Sequence, residues 1–551
     1  MTQYTVPAFK LDDKLPLTCA TFGGYYLMRK GMDRVESLAR RAIELTDVNA
    51  IASDGWYLLA RKEHYNDELS KANDYYLKAD QARGGDDRGY IPAKFGAAQI
   101  KVLMQDFDGA KFRLEKLSQQ TKSVEAQTLL GTLYAEDVFT AQTAKSKEDK
   151  SNELKKAITL LESVRIAWQD SNKKVTPDPS VLLNLARLYE TDHPDKSLKC
   201  LEQVEQMELD EIPEDDHPQD LEDETALRAA LREFLPPQLL NNMGCFQYQS
   251  EKYSQARELF QTALNACVKV GEKDQSIDTD ALVTTISYNL ARTYEAEGML
   301  DEARRVYEGL LDRHSDYTDA ITRLAYIALR QSPTEEGPKA VQKLYQAEPA
   351  NLEVRSLYGW YLSKAKKRTA NIAEDQEQRH YKHTLQHYDK HDRYSLTGMG
   401  NIWLAIAREM RRDTEQDKDK RRKMYEKAVE FFDKALQLDP RNAYAAQGIA
   451  IALVEDKKDF ATAVQIFTKV RETMKDASVF INLGHAYCEI KQYSRAIENV
   501  RTYIKVSDNL ELTIYSTKQH WPRTGPATHK FWHVSVESGF YEENKRKASK
   551  Q

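Results

Sequence analysis

The stretch WYLLARKEHYNDELSKANDYYLKA, Trp56 to Ala79, decides the fold. It sets a large residue at Trp56, small residues at Ala60, Ala72 and Ala79, and an aromatic at Tyr76. Small residues 12 and then 7 positions apart suit two antiparallel helices. One lies midway along the first helix and one early in the second, so the backbones approach closely and the aromatic fills the space beside them. The interval recurs at Gly23, Val35, Ala42 and at Ala98, Ala110, Leu117. It returns at Gly244, Ala256, Ala263, at Ala291, Ala303, Leu310, at Ala325, Gly337, Leu344 and at Gly484, Ala496, Tyr503. Phe260 and Tyr307 stand where Tyr76 does, and Pro349 and Pro440 stop second helices. Units repeated at this period cannot bury their apolar faces alone and stack on their neighbours.

These are the spacings of the tetratricopeptide repeat, and they predict an all-α fold: a right-handed tetratricopeptide α-α superhelix of about a dozen units between residues 17 and 508. Imperfect copies fill the gaps. Gly131 is parted from Ala157 by a polar stretch that includes Lys145 to Asn152, and Gly400 from Ala428 by the mixed-charge run Arg408 to Lys423, which should lengthen the helices. Ala186 to Ser197 is one residue short and Ala450 to Ala463 one long. The expected organisation is a first block of repeats over 1–207, an acidic linker over 208–234, a second block over 235–508 and an atypical tail over 509–551. The linker is read as a solvated loop or helix cap, because Glu208 to Glu224 is acidic and carries Pro213 and Pro218. In the tail, Leu510 to Tyr515 could open another first helix, but Pro522, Gly525 and Pro526 interrupt it.

Composition agrees. The chain has 551 residues, 41% hydrophobic and 30% charged, with only 22 Gly and 16 Pro, which disfavours a sheet-rich enzyme. Lys and Arg number 80 against 86 Asp and Glu, a formal charge of −6, so binding to nucleic acid by a general basic charge is not expected. The cysteines, Cys19, Cys200, Cys245, Cys267 and Cys488, form no C-x-x-C pair, and no apolar run is long enough for a membrane span.

Catalytic chemistry is not expected, because no H-E-x-x-H, G-x-S-x-G or kinase set occurs. The histidines His380, His383, His387 and His391 in RHYKHTLQHYDKHD would share one helix stripe and could in principle hold a metal, yet their Lys, Gln, Arg and Asp surroundings favour a polar face or partner contact. GGDDRG, Gly84 to Gly89, reads as a turn between repeats rather than a phosphate loop. KRKASK, Lys545 to Lys550, reads as a solvated basic end before it reads as a nuclear-import patch. No cofactor or metal is expected.

The inner surface of the superhelix remains as the working surface. First-helix positions three before and one after each small residue are expected to face it: Tyr57 and Arg61, Phe95 and Gln99, Tyr288 and Arg292, Thr322 and Tyr326, with Trp360 after Gly359. Aromatic and Arg side chains make good anchors, so these nine define a candidate groove for an extended or helical segment of another protein. On this reading, replacing Tyr288 and Arg292 by Ala weakens partner binding and leaves the helices intact.

Three passages are more specific than the repeat: LPPQLLNNMGCFQYQ from Leu235, TTISYNLARTYEAEGMLDEARRVYEGLL from Thr284 and LQHYDKHDRYSLTGMGNIWLA from Leu385. Together they resemble the tetratricopeptide scaffold subunit of the RNA polymerase II-associated factor (Paf) complex. The resemblance implies a nuclear, non-enzymatic scaffold that binds the other Paf-complex core subunits and contacts the RNA polymerase II elongation machinery indirectly. It also implies support of co-transcriptional histone H2B ubiquitylation and H3 methylation, while the charge and hydropathy above leave direct nucleic-acid or membrane binding unexpected. It further implies repeats on both sides of this array and a long charged tail, so the chain reads as a fragment, a misjoined gene model or a truncated splice form. The alternatives are an adaptor of a ubiquitin-ligase or chaperone-linked assembly, and the repeat arm of a glycosyltransferase without its catalytic domain.

Overall fold

A computed structural model describes residues 2–86, 88–144, 149–169, 175–213, 217, 224–273, 278–364, 375–410, 414–474 and 476–511. The polar stretch 145–148, most of the acidic segment 214–223 and the tail 512–551, with its basic end, lie outside the described residues. Two compact units divide the chain, Met1–Pro213 and Glu214–Gln551. Among the described residues all regular structure is helical, and no helix is long and apolar enough to cross a membrane.

In the first unit a leading helix α1 (Thr2–Leu11) precedes five pairs. They are α2 (Pro16–Met28) with α3 (Met32–Glu44), α4 (Asn49–Tyr65) with α5 (Leu69–Ala82) and α6 (Ile91–Leu103) with α7 (Phe107–Gln120). Then come α8 (Val124–Thr143) with α9 (Ser151–Trp168) and α10 (Pro179–Tyr189) with α11 (Pro194–Asp210), so Glu208 to Asp210 are helical. The second unit starts with α12 (Glu224–Leu231). Its pairs are α13 (Pro237–Gln249) with α14 (Tyr253–Lys273), α15 (Asp280–Ala296) with α16 (Leu300–Arg313) and α17 (Thr318–Gln331) with α18 (Glu336–Ala347). They continue as α19 (Leu352–Lys364) with α20 (Gln376–His387) and α21 (Arg393–Glu409) with α22 (Glu415–Leu438). The last are α23 (Ala443–Ala452) with α24 (Phe460–Thr473) and α25 (Ala477–Glu489) with α26 (Tyr493–Glu511). Apart from α12, each helix packs on its sequence neighbours within its unit, the pattern of an α-α solenoid. The mixed-charge run does lengthen α22, to 24 residues, and Leu510 ends a second helix instead of opening a first.

Close packing at the small residues sets the register. Ala60, Ala72 and Ala79 are buried, as are Gly244, Ala256, Ala263, Ala291, Ala303, Gly484 and Ala496. The second-helix aromatic is held from two sides. A Cβ on Gly359 would lie 2.5 Å from the Tyr381 ring and one on Gly398, in the next first helix, 2.6 Å from it. Phe432 sits likewise between Gly400 and Gly448, and Tyr76 bears on Gly96 of the following repeat. Each ring therefore joins its own pair to the next one.

The turns repeat too. Seven residues after the small residue stands a left-handed backbone: Lys30, Asp67, Gln105, Glu251, Gly298 and Lys491 have φ between 58 and 82°. The flanking amides bond back into the first helix, as Asp67 N to His64 O (3.3 Å) and Glu68 N to Glu63 O (3.0 Å) do, which ends the helix sharply. The extra residue between Ala450 and Ala463 is absorbed by a π turn at Leu453–Lys457, and the left-handed residue moves one place on, to Lys458. That turn aims Glu455 at Arg408 Nε (2.9 Å) and at the Tyr425 hydroxyl (2.9 Å), tying α21 and α22 to it. In the shortened pair Ser197, buried, donates its hydroxyl to the Ala186 carbonyl.

Because Gly398 meets a ring that cannot move without leaving its own pair, Gly398→Leu is expected to cost about 1–3 kcal/mol by overpacking. Calorimetric melting against wild type checks this, and an unchanged melt would place the ring elsewhere.

Candidate functional site

The nine groove positions divide between the units. In the first unit Tyr57 is half-buried, its ring 6.0 Å from Tyr76 and 5.2 Å from Tyr90, while Arg61 is exposed. Phe95 and Gln99 are half-buried. All four keep contact with solvent.

In the second unit the positions are more deeply buried. Tyr288 is half-buried, with the rings of Tyr307 and Tyr317 at 5.8 and 5.7 Å, and Arg292, Thr322, Tyr326 and Trp360 are buried. Thr322 donates to the Thr318 carbonyl within its own helix (2.8 Å), and Tyr326 and Trp360 pack on one another at 5.3 Å. The last contact joins two successive first helices, α17 and α19. The sequence reading missed the two charges that organise them, Glu295 and Arg323. Glu295 accepts from Arg323 Nε (3.0 Å), from Arg292 (3.4 Å) and from the Tyr307 hydroxyl (3.3 Å), all of them buried. Burial pushes the Glu295 carboxyl up, but Arg323 and Arg292 outweigh it and hold it below the ordinary carboxylate value. Arg323 stands two residues before Ala325, where other repeats place Gly96, Gly398 and Gly448. A charge at that packing position was the available signal.

This corrects the reading of Arg292 as a groove anchor. Its guanidinium is committed to the Glu295 cluster, so the double change at Tyr288 and Arg292 is expected to destabilise the repeat. The pair can be probed from the acid side. Glu295→Gln leaves two buried cations facing a neutral group and is expected to cost about 3–5 kcal/mol. The Glu295 ion pairing contributes above the unfolded carboxylate value and is lost as pH falls through the depressed folded value. The stability difference between wild type and variant, from urea titrations, should therefore hold at neutral pH and shrink in acid.

The histidine run does not form the expected stripe. Helix α20 stops at His387, so His391 lies beyond it, and His380 is buried while His383 and His387 are exposed. His380 Nε2 faces the Arg355 carbonyl at 2.8 Å, with the Tyr345 and Tyr358 rings at 5.5 and 5.2 Å. Arg355, also buried, donates to the Pro349 carbonyl (2.7 Å), the Tyr345 hydroxyl (3.2 Å) and Thr384 (3.0 Å), clamping three helices. Among the described residues no group of three or more His, Cys, Asp or Glu is placed to hold a metal. Gly84 to Gly89 lies in the connection between α5 and α6, with Gly84 and Gly85 at positive φ.

Burial lowers the His380 pKa to about 4. An unfolded chain takes up this proton near pH 6.5 while the folded imidazole resists it, so stability is complete above 6.5 and drains between there and 4, by about 3 kcal/mol. His380→Phe keeps the ring and is expected to flatten that part of the stability–pH curve; an unchanged slope would assign the loss to other groups.

With this geometry in place the comparisons are direct. The tetratricopeptide-repeat family model matches residues 286–321, and a second tetratricopeptide model matches 420–442. The chain is a tetratricopeptide-repeat protein. It is 34% identical over 504 residues to Tetratricopeptide repeat protein 1 of Schizosaccharomyces pombe, covering 91% of this chain and 43% of that one. It is 32% identical over 428 residues to RNA polymerase-associated protein CTR9 of Saccharomyces cerevisiae, covering 76% and 36%, and 23% identical over 516 residues to the protein of that name in Caenorhabditis elegans, covering 90% and 40%. The chain is similar over most of its length to these proteins, and it spans less than half the length of each.

Proposed function

We propose that this chain is a non-catalytic protein–protein scaffold of the Paf transcription elongation complex. It acts in the nucleus, binds other core subunits of that complex and serves the RNA polymerase II elongation machinery through them. In this role it supports co-transcriptional H2B ubiquitylation and H3 methylation. The observation that carries the reading is similarity at 32% identity across 76% of the chain to a protein named as RNA polymerase-associated. The architecture supports it: helix pairs whose buried polar groups serve packing, and a first unit in which the proposed groove residues Tyr57, Arg61, Phe95 and Gln99 keep contact with solvent.

The test is affinity capture of the tagged chain from nuclear extract, read by mass spectrometry. Paf-complex subunits are expected, with recovery falling when Tyr57 and Arg61 are both replaced by Ala, since truncating an aromatic and an Arg anchor each costs about 1–2 kcal/mol of binding. A different stable assembly in the capture would overturn the functional reading, and undiminished recovery with the double variant would remove those two residues from the contact.

A further inference from the structure

Five residues after the small residue, each first helix reaches its turn. In the three opening repeats that position holds Met28, Tyr65 and Leu103, counted from Gly23, Ala60 and Ala98. They are 70%, 58% and 51% exposed. Later repeats put Glu136, Gln249, Arg330, Lys364 and Glu489 there, so the repeat itself needs no apolar side chain at this place. Helix α2 touches α4, and α4 touches α6, so the three side chains mark the same end of three first helices in contact. Met104 and Phe107, also exposed, extend the apolar surface at the third turn. Large side chains repeated at one register and left to solvent mark an interaction surface.

The charges around the row choose the occupant. Arg29, Lys30 and Arg61 are exposed, and among the described residues none of them makes an ion pair; Arg29 lies over the Tyr25 ring at 4.8 Å. Of the nearby carboxylates, Asp106 is held by Lys101 (2.8 Å) and Glu68 by Lys71 (3.4 Å), which leaves Asp33 and Asp67 against the three cations and the surface net cationic. A surface both apolar and cationic complements a segment both apolar and acidic. We propose that the row Met28, Tyr65, Leu103, with Arg29, Lys30 and Arg61, docks an acidic polypeptide segment whose own apolar side chains seat on the three exposed ones. A nucleic acid would satisfy the cations and leave the apolar row wet.

The experiment uses the full chain and labelled synthetic peptides, read by fluorescence anisotropy. The probes are a short peptide of mixed Leu, Phe, Glu and Asp, the same peptide with its apolar residues changed to Ser, and the same peptide with its acids changed to Lys. The first is expected to bind, and each control to bind about tenfold more weakly. The variant Met28→Ser, Tyr65→Ser, Leu103→Ser should melt as wild type does, since exposed positions tolerate such changes, and lose about tenfold in affinity. Reversing Arg29, Lys30 and Arg61 to Glu should turn the preference toward the Lys peptide. Arg330→Ser with Lys364→Ser, at the same register in the second unit, should leave affinity unchanged. Binding by the triple Ser variant as tight as by wild type, equal binding of the Lys peptide to wild type, or no binding of any peptide would each overturn the proposal. Only purified chain and peptides are used, so its failure leaves the assembly assignment untouched, and the reverse holds as well.

Discussion

The tightest joints of the stack share one contact: an aromatic ring of the second helix, Tyr76, Tyr381 or Phe432, pressed against a glycine of the next first helix. Tyr381 between Gly359 and Gly398, and Phe432 between Gly400 and Gly448, show it fully. A ring held from both sides cannot serve one pair without ordering the next. Stability is thereby distributed along the stack, and each repeat draws on its neighbours more than on its own short helices, which alone would be marginal. The turns serve the same end, since the left-handed residue seven places on fixes where the second helix starts.

The two units use this frame differently. In the second unit Arg292, Glu295, Arg323, Tyr326, Trp360 and Arg355 of the first helices are buried, and they bond and stack across neighbouring helices. Buried ion clusters add little net stability over apolar packing, but removing one partner strands the charges that remain. In the first unit the first helices keep Arg61 exposed and Tyr57, Phe95 and Gln99 half-exposed, and their turn edge carries unburied Met, Tyr and Leu.

Much of the architecture was legible because small residues at fixed intervals are demanded by helix approach, which few other structures require. Even the irregular intervals carried information: the extra residue after Ala450 becomes the π turn that aims Glu455. The groove was less legible. An Arg one place after a small residue reads equally well as an exposed anchor or as half of a buried pair, and Arg292 is the second because Glu295 lies one turn on in the same helix and Arg323 meets it from the next. His380 looked like one of four equivalent histidines until the end of α20 and the stacking on Tyr345 and Tyr358 set it apart. Such distinctions rest on which helices become neighbours, which a single chain's spacing does not carry.

Hydrogen exchange followed by mass spectrometry on Phe432→Ala measures the ring's double duty most directly. Loss of protection is expected in α21 and α22 and to spread into α23, whose Gly448 closes the ring, while α13 to α16 keep theirs. Deprotection confined to α22, or uniform across the second unit, would contradict the claim that each ring couples its own pair to the next.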